Sequence, residues 1–257
     1  MPDIKLYNSA GSTCSQRVRF TLAAKELPFE KHDLNLLGGD QLKPEYLAIN
    51  PNGVVPTLVY DGITVTDSSV IIEFLDEMHH DVAPLVPDDP GRRAAMRSLM
   101  RYIDEVPTAS IRYPSFNVAF IKSFKNMTDD EFRAIANSKP LRKEFMNTMG
   151  REGFSDDEIA QALDRLGRSM KRMNAEIEKS GGPWMLGADI TLADIAIMPT
   201  IVRLDDIGLN SLWAGMPAVD TWFDNIRANP AYDATYYPGA HISERWPEVR
   251  KWYAKVA

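Results

Sequence analysis

The stretch from Asn8 to Arg19, N-S-A-G-S-T-C-S-Q-R-V-R, constrains the chain more than any other, because two periodicities meet in it. Upstream, Ile4 and Leu6 alternate with Lys5 and Tyr7, the period of a half-buried strand. Downstream, Cys14, Val18 and Leu22 recur every four residues with charged residues between them, which predicts a helix from Thr13 to Lys25. A helix start exposes unpaired amides and the positive end of the helix dipole, so it can hold a thiolate or a carboxylate. Gly11 and the hydroxyls of Ser12, Thr13 and Ser15 stand at that junction, where a hydroxyl can also donate. A plain helix cap by Ser12 or Thr13 explains the same residues, and both readings stay open at this point.

Beyond the first helix, Leu27-Pro28 ends it, and Phe29 to Leu36 predicts an edge-like strand. Leu37 to Lys43 reads as a loop, Pro44 to Ile49 as a short helical turn, and Asn50-Pro51-Asn52-Gly53 as a turn. Val54 to Tyr60 and Ile63 to Thr66, joined by Asp61-Gly62, predict a tight hairpin with Pro56 at a strand start or edge. Asp67-Ser68-Ser69 caps a helix whose expected buried face is Val70, Ile71, Phe74, Leu75 and Met78. No convincing strand follows. Three prolines between Asp81 and Pro90 read as a linker, which gives residues 1–80, 81–90 and 91–257 as a first domain, a linker and an all-helical second domain.

In that second part Asp89 and Pro90 open a helix with a face at Met96, Leu99, Met100 and Ile103. Pro114 interrupts the aromatic stretch and leaves a short helix from Phe116 to Phe124. Thr128 with Glu131 and Ser155 with Glu158 are spaced as capping boxes. The second precedes a long packed helix through Ile159, Leu163, Leu166, Met170, Met173 and Ile177, ended by Gly181-Gly182. Thr191-Leu192-Ala193-Asp194 is another start of the same kind, and Val219, Trp222, Phe223 and Ile226 mark a helix before Pro230.

Composition narrows the partners. A net charge of -7 with no basic run argues against nucleic acid, whose affinity comes from clustered Lys and Arg. The single cysteine excludes an intramolecular disulfide, and the four scattered histidines form no metal set. The N-terminus lacks an apolar signal-peptide core, and no stretch nears the roughly 18 to 20 apolar residues that span a bilayer. A cytoplasmic location is expected.

Four pieces together carry a resemblance: Y-N-S-A-G-S-T-C-S-Q-R-V-R-F-T-L at 7 to 22, N-P-N-G-V-V-P-T-L at 50 to 58, D-S-S-V-I-I-E-F-L at 67 to 75 and L-G-A-D-I-T-L-A-D at 186 to 194. In this order they resemble the cytosolic glutathione transferases, which implies a thioredoxin-like α/β domain followed by an all-α domain, glutathione as co-substrate and a homodimer. Free thiols titrate near about 8.5, so such an enzyme must stabilise the thiolate at neutral pH. In relatives of the serine type a hydroxyl at the helix start donates to the glutathione sulfur, and Ser12 matches that residue. S-T-C-S-Q-R-V-R is also similar to the serine-serine-cysteine motif of maleylacetoacetate isomerases, which makes Thr13 and Cys14 further candidates. Omega-type relatives carry a cysteine at the Ser12 position, so Cys14 is not read as forming a mixed disulfide.

The resemblance further implies that Val55 pairs its backbone with the cysteinyl unit, that Pro56 is cis, and that Asp67 and Ser68 hold the γ-glutamyl end. Where many relatives carry Lys or Gln this chain has Val54, which leaves Lys43 or Gln41 for the glycine carboxylate. Thr191 and Asp194 match a buried folding element. Tyr113, Phe116, Phe120 and Trp213 are the candidate lining of the electrophile pocket. The long segment from Lys122 to Ser155 resembles bacterial β-etherases, which use glutathione to displace a phenoxide from aromatic ethers. The main alternatives are an isomerase of the maleylacetoacetate type and a non-catalytic carrier of glutathione or hydrophobic ligands.

Overall fold

The computed structural model describes residues 2–252. Strand β1 (Ile4–Asn8) buries Ile4, Leu6 and Asn8 on alternate positions and runs into helix α1 (Thr13–Ala24). Strand β2 (Glu30–Asp33), helix α2 (Pro44–Leu47), the hairpin β3 (Thr57–Tyr60) and β4 (Ile63–Thr66), and helix α3 (Ser68–Met78) complete the first part. The sheet order is β2-β1-β3-β4, parallel between β1 and β2 and antiparallel elsewhere. Tyr7 stands opposite Thr57 in the β1–β3 ladder, so the loop leaving β1 lies beside the residues that enter β3. Asp61 and Gly62 both take positive φ, the geometry that closes a tight hairpin.

Helices follow: α4 (Pro90–Glu105), α5 (Pro107–Ser110), α6 (Arg112–Val118), α7 (Asp129–Asn137), α8 (Lys143–Met149), α9 (Asp156–Ser180), α10 (Leu192–Asp206), α11 (Pro217–Ala228), α12 (Pro230–Thr235), α13 (Ile242–Arg245) and α14 (Val249–Trp252). The capping boxes at Thr128/Glu131, Ser155/Glu158 and Thr191/Asp194 all form, each closing a helix start with two reciprocal bonds. Helix α10 is buried along almost its whole length and forms the spine against which α1 and α4 pack.

Two expectations need correction, and the linker proves to be tied down. Pro114 does not break the aromatic stretch: it occupies the first turn of α6, where its missing N–H is no loss, and Phe120–Ser123 forms a separate 3-10 turn. The buried face of α3 is Ser68, Ile71, Ile72, Leu75 and Asp76, whereas Val70 and Met78 face solvent. Two apolar stripes overlap on that helix, and α1 together with the sheet covers one of them. The segment 81–90 is not slack, since Lys25 donates to the carbonyls of His79, Val82 and Ala83 and pairs with Asp76 at 2.7 Å. Asp76 in turn accepts from the amide of Leu85, whose carbonyl accepts from Leu192 at the start of α10.

Candidate functional site

Ser12 is the N-cap of α1, and its Oγ accepts the amide of Ser15 at 3.3 Å. A hydroxyl has two acceptor lone pairs and one proton, so this cap leaves the proton free to donate elsewhere. The cap and the donor readings are therefore compatible. Thr13 and Cys14 lie half-buried in the first turn, and their amides have no partner among the described residues. That is the usual state of a helix start, and it adds two N–H donors beside the Ser12 hydroxyl.

Buried cations hold this loop in place. Arg19 donates to Asn8 Oδ1, to the carbonyls of Ser9 at 3.2 Å and Ala10 at 2.8 Å, and to that of Thr235 at 3.0 Å. Arg203 from α10 donates to the Gly11 carbonyl at 2.5 Å, and Gln16 reaches the Ala240 carbonyl at 3.1 Å. Burial lowers both the Arg19 and the Arg203 guanidinium below the ordinary arginine range, opposed for Arg203 first by Asp206. The carbonyls of Ser9, Ala10 and Gly11 are thus all engaged from the protein side.

Across the cleft the Val55–Pro56 peptide is cis, as the resemblance implies. The Val54 carbonyl is fixed by the Tyr46 hydroxyl at 2.6 Å and Asn50 Nδ2 at 3.0 Å, and both side chains also reach Thr57 Oγ1. Val55 itself has neither its N–H nor its C=O bonded to any described residue. A buried backbone pair left open at a strand entrance is a template for an extended peptide.

Asp67 takes φ 72° and caps α3 through Oδ1, which accepts from Ser69 at 2.9 Å. Ser68 is buried beside it, and its Oγ accepts from Arg17 at 3.2 Å. Arg17, 2% exposed, is the residue that the helical spacing alone missed. Its guanidinium also donates to Ser69 Oγ, Asp104 Oδ1, Thr108 Oγ1 and the Ala196 carbonyl, tying α1, α3, α4, α5 and α10 to one point behind Ser68. Those partners lie far away in sequence, so no local pattern announces them.

The candidates for the glycine carboxylate each hold one contact within the protein. Lys43 is exposed and paired with Asp40 at 2.7 Å, which raises its pKa above the ordinary lysine value. Gln41 is buried with Nε2 on the Leu36 carbonyl, and its Oε1 is an unpartnered acceptor. A carboxylate needs donors: the Lys43 ammonium keeps N–H groups beyond the one on Asp40, and the Gln41 amide nitrogen keeps a second N–H.

Tyr113, Phe116 and Phe120 do come together, with α8 and the approach to α9. Tyr113 lies 4.3 Å from Phe154 and meets Phe145 edge-on, Phe116 meets Phe120 at 4.9 Å and Phe145 at 5.0 Å, and Phe120 meets Trp246 at 5.5 Å between ring centroids. Trp213 is not among them. It is buried against Phe223 with Nε1 on Asp220, in the core between α9 and α11. Asp194, which is fully buried, accepts from the amides of Thr191 and Met185, the Thr191 hydroxyl and Trp222 Nε1, a purely structural set of partners.

Among the described residues no helix is long and apolar enough to cross a membrane. The family model of the glutathione S-transferase N-terminal domain matches residues 11–78, and that of the C-terminal domain matches residues 156–225. A probable maleylacetoacetate isomerase of Caenorhabditis elegans is 29% identical, covering 90% of this chain and 92% of that protein. Glutathione S-transferase Z1 of Arabidopsis thaliana is 31% identical, covering 77% of this chain and 76% of that protein. The crystal structure of the β-etherase LigF from Sphingobium sp. strain SYK-6 superposes with a TM-score of 0.81 at 26% identity, over 91% of this chain and 98% of that one. With a capped α1 start, a cis-proline strand entrance and a buried Asp194 box all where those family models fall, the chain belongs to the glutathione S-transferase family.

Proposed function

We propose that this chain is a glutathione transferase in which the Ser12 hydroxyl stabilises the glutathione thiolate for attack on a bulky aromatic electrophile. The observation that carries the reading is the pairing state of Ser12, whose Oγ is anchored as an acceptor while its proton stays available. Residues 1–80 then hold glutathione, and residues 91–257, after the linker 81–90, supply the other wall. The tripeptide lies extended along Val55, with its γ-glutamyl carboxylate on the Ser68 amide and hydroxyl at the start of α3. Asp67 faces the ammonium end, and Arg17 fixes the serine from behind.

In the reaction the thiol proton leaves to solvent, and the Ser12 hydroxyl with the amides of Thr13 and Cys14 stabilises the sulfur anion. The sulfur then forms a bond to an electrophilic carbon, and the leaving group departs with its electron pair. In the ether-cleaving version that group is a phenoxide, which takes up a proton. The ring cluster from Tyr113 to Phe154 offers offset and edge contacts to an aromatic acceptor, each worth about 0.5 to 1.5 kcal/mol beyond burial.

The isomerase alternative has its own support in the Caenorhabditis elegans relative and in the S-T-C-S stretch. A panel separates the readings. Phenol release from a β-aryl ether ketone with one glutathione thioether formed per turnover supports the etherase version. Turnover of a maleyl ketoacid with no thioether supports the isomerase, and binding of glutathione without a thiolate absorbance band leaves only a carrier. A homodimer in a reducing, cytoplasmic compartment fits the single cysteine and the apolar side chains of Ile63, Val70 and Met78, which are 56%, 54% and 49% exposed along β4 and α3.

A further inference from the structure

Six buried or half-buried arginines, Arg17, Arg19, Arg93, Arg151, Arg165 and Arg203, donate to an oxygen of the chain. Arg112 and Arg142 are half-buried as well, yet neither guanidinium has a hydrogen-bond acceptor or a carboxylate in reach among the described residues. Neither guanidinium is a buried orphan, and a half-buried cation with no acceptor in the protein keeps its donors open to a ligand.

Two tethers hold the backbone beside both arginines close to the site. Arg112 follows Thr108 by one helical turn, and Thr108 is bonded at 2.7 Å to Arg17 on α1, itself one turn beyond Thr13. Arg142 follows Pro140 by two residues, and Pro140 Cδ covers Gly53 so closely that a Cβ there would stand 3.2 Å from it. Gly53 leads directly into Val54, Val55 and cis-Pro56. The electrostatics agree with this placement: burial, and next the like charge of Arg112, lower the Arg142 guanidinium to about 10, while Cys14 and Asp67 oppose the shift. Arg142 therefore remains charged at neutral pH. The nearby Asp67 carboxylate is engaged at the start of α3 and does not pair with it.

The same two helices supply the aromatic wall. Tyr113 is the neighbour of Arg112 on α6, and Phe145, one turn beyond Arg142 on α8, meets it edge-on. Both arginines also lie between the stretches matched by the two family models. We propose that Arg112 and Arg142 form a cationic rim on the acceptor side of the site, so that the favoured electrophile is an aromatic compound that carries a carboxylate. This rests on the transferase reading above and specifies its substrate class. Guanidinium forks bind carboxylates through two parallel bonds, and a pair of them would set the ring against Tyr113 and Phe145 with its reacting carbon toward the thiolate. The carboxylate takes no part in bond making. On a chloroarene the sulfur adds to the ring carbon, chloride leaves with its electron pair, and the thiol proton goes to solvent.

The test uses 4-chloro-3,5-dinitrobenzoate and its neutral amide as acceptors, with Arg142→Gln, Arg112→Gln and the conservative Arg142→Lys. The unaltered protein should favour the benzoate over the amide by at least about ten-fold in kcat/KM, the scale of one charge-assisted contact. That ratio should fall toward one in either glutamine variant and recover in part in the lysine variant. Calorimetry with the two preformed glutathione thioethers reads the same preference without turnover, so a protein that conjugates neither arene still tests the rim, while the ether and ketoacid panel above decides the reaction. Equal affinity for the two thioethers overturns the proposal. So does a rise in the KM for glutathione that matches the loss on the benzoate, because it would place the arginines on the tripeptide.

Discussion

The two walls of the cleft are built in opposite ways. On the wall formed by β1, α1 and the start of α3, the groups that support the loop are engaged by the protein itself while the Ser12 proton and the amides of Thr13 and Cys14 stay open: Arg19, Arg203 and Gln16 take the loop carbonyls, and Arg17 gathers hydroxyls, a carboxylate and a carbonyl from four other helices. On the wall formed by α6, α8 and the approach to α9, half-buried rings lean on one another and two guanidiniums have no partner among the described residues. The first wall is fixed before any ligand arrives, which suits the peptide site proposed above. The second keeps open donors, which suits the acceptor side proposed for it.

The largest effect expected from this contrast is on stability. Arg17→Met should lower the unfolding free energy by about 3 to 5 kcal/mol, because it takes the donor from the buried Ala196 carbonyl and from the buried Ser68 and Thr108 hydroxyls at once. Arg142→Met should change it by no more than about 0.5 kcal/mol, the range of positions without a partner. Denaturant titration of both variants reads the difference, and equal losses would erase the distinction between the walls.

Asp194→Ala comes next, at about 2 to 4 kcal/mol, since four donors lose one buried acceptor. Burial raises the Asp194 pKa above the ordinary aspartate value, yet its role is confined to the second half of the chain. Kinetic constants of the folded fraction should stay as they are. Lost activity at an unchanged melting temperature would move Asp194 into the site.

Smaller still is the effect of Phe116→Leu on the second wall. Loss of its edge contacts to Phe120 and Phe145 should lower kcat/KM for aromatic acceptors several-fold, on the scale of about 0.5 to 1.5 kcal/mol, and leave the KM for glutathione where it was. Steady-state kinetics with glutathione and acceptor varied in turn would show whether the ring belongs to the acceptor side alone.

Most of the first wall was legible because its signals are local. A period-two run, a hydroxyl-rich helix start, Asp61-Gly62 between apolar runs and S/T-x-x-E/D spacings each specify a short element without reference to distant residues. The same locality hid what holds the wall together. Arg17 and Arg19 sit between Cys14, Val18 and Leu22 like the charges of any surface helix, and their burial depends on Ala196 and Thr235, far along the chain. Trp213 shows the complementary failure: an aromatic near the end of the series is indistinguishable in sequence from one that lines a pocket, and packing against Phe223 settled its place. Val70 and Met78 failed for a related reason, since periodicity names two apolar stripes on α3 without saying which one α1 and the sheet cover.

The central claim is that Ser12 donates its free proton to the sulfur of bound glutathione, and titration of the thiolate absorbance of the binary complex tests it most directly. In the unaltered protein the bound thiol should titrate well below the free value of about 8.5, and in Ser12→Ala it should return toward that value. The transition-state loss in the variant should be about 2 to 4 kcal/mol in kcat/KM, with glutathione affinity nearly retained. A bound thiol that titrates identically in both proteins would contradict the claim and shift the role to Thr13 or to the open amides of the first turn.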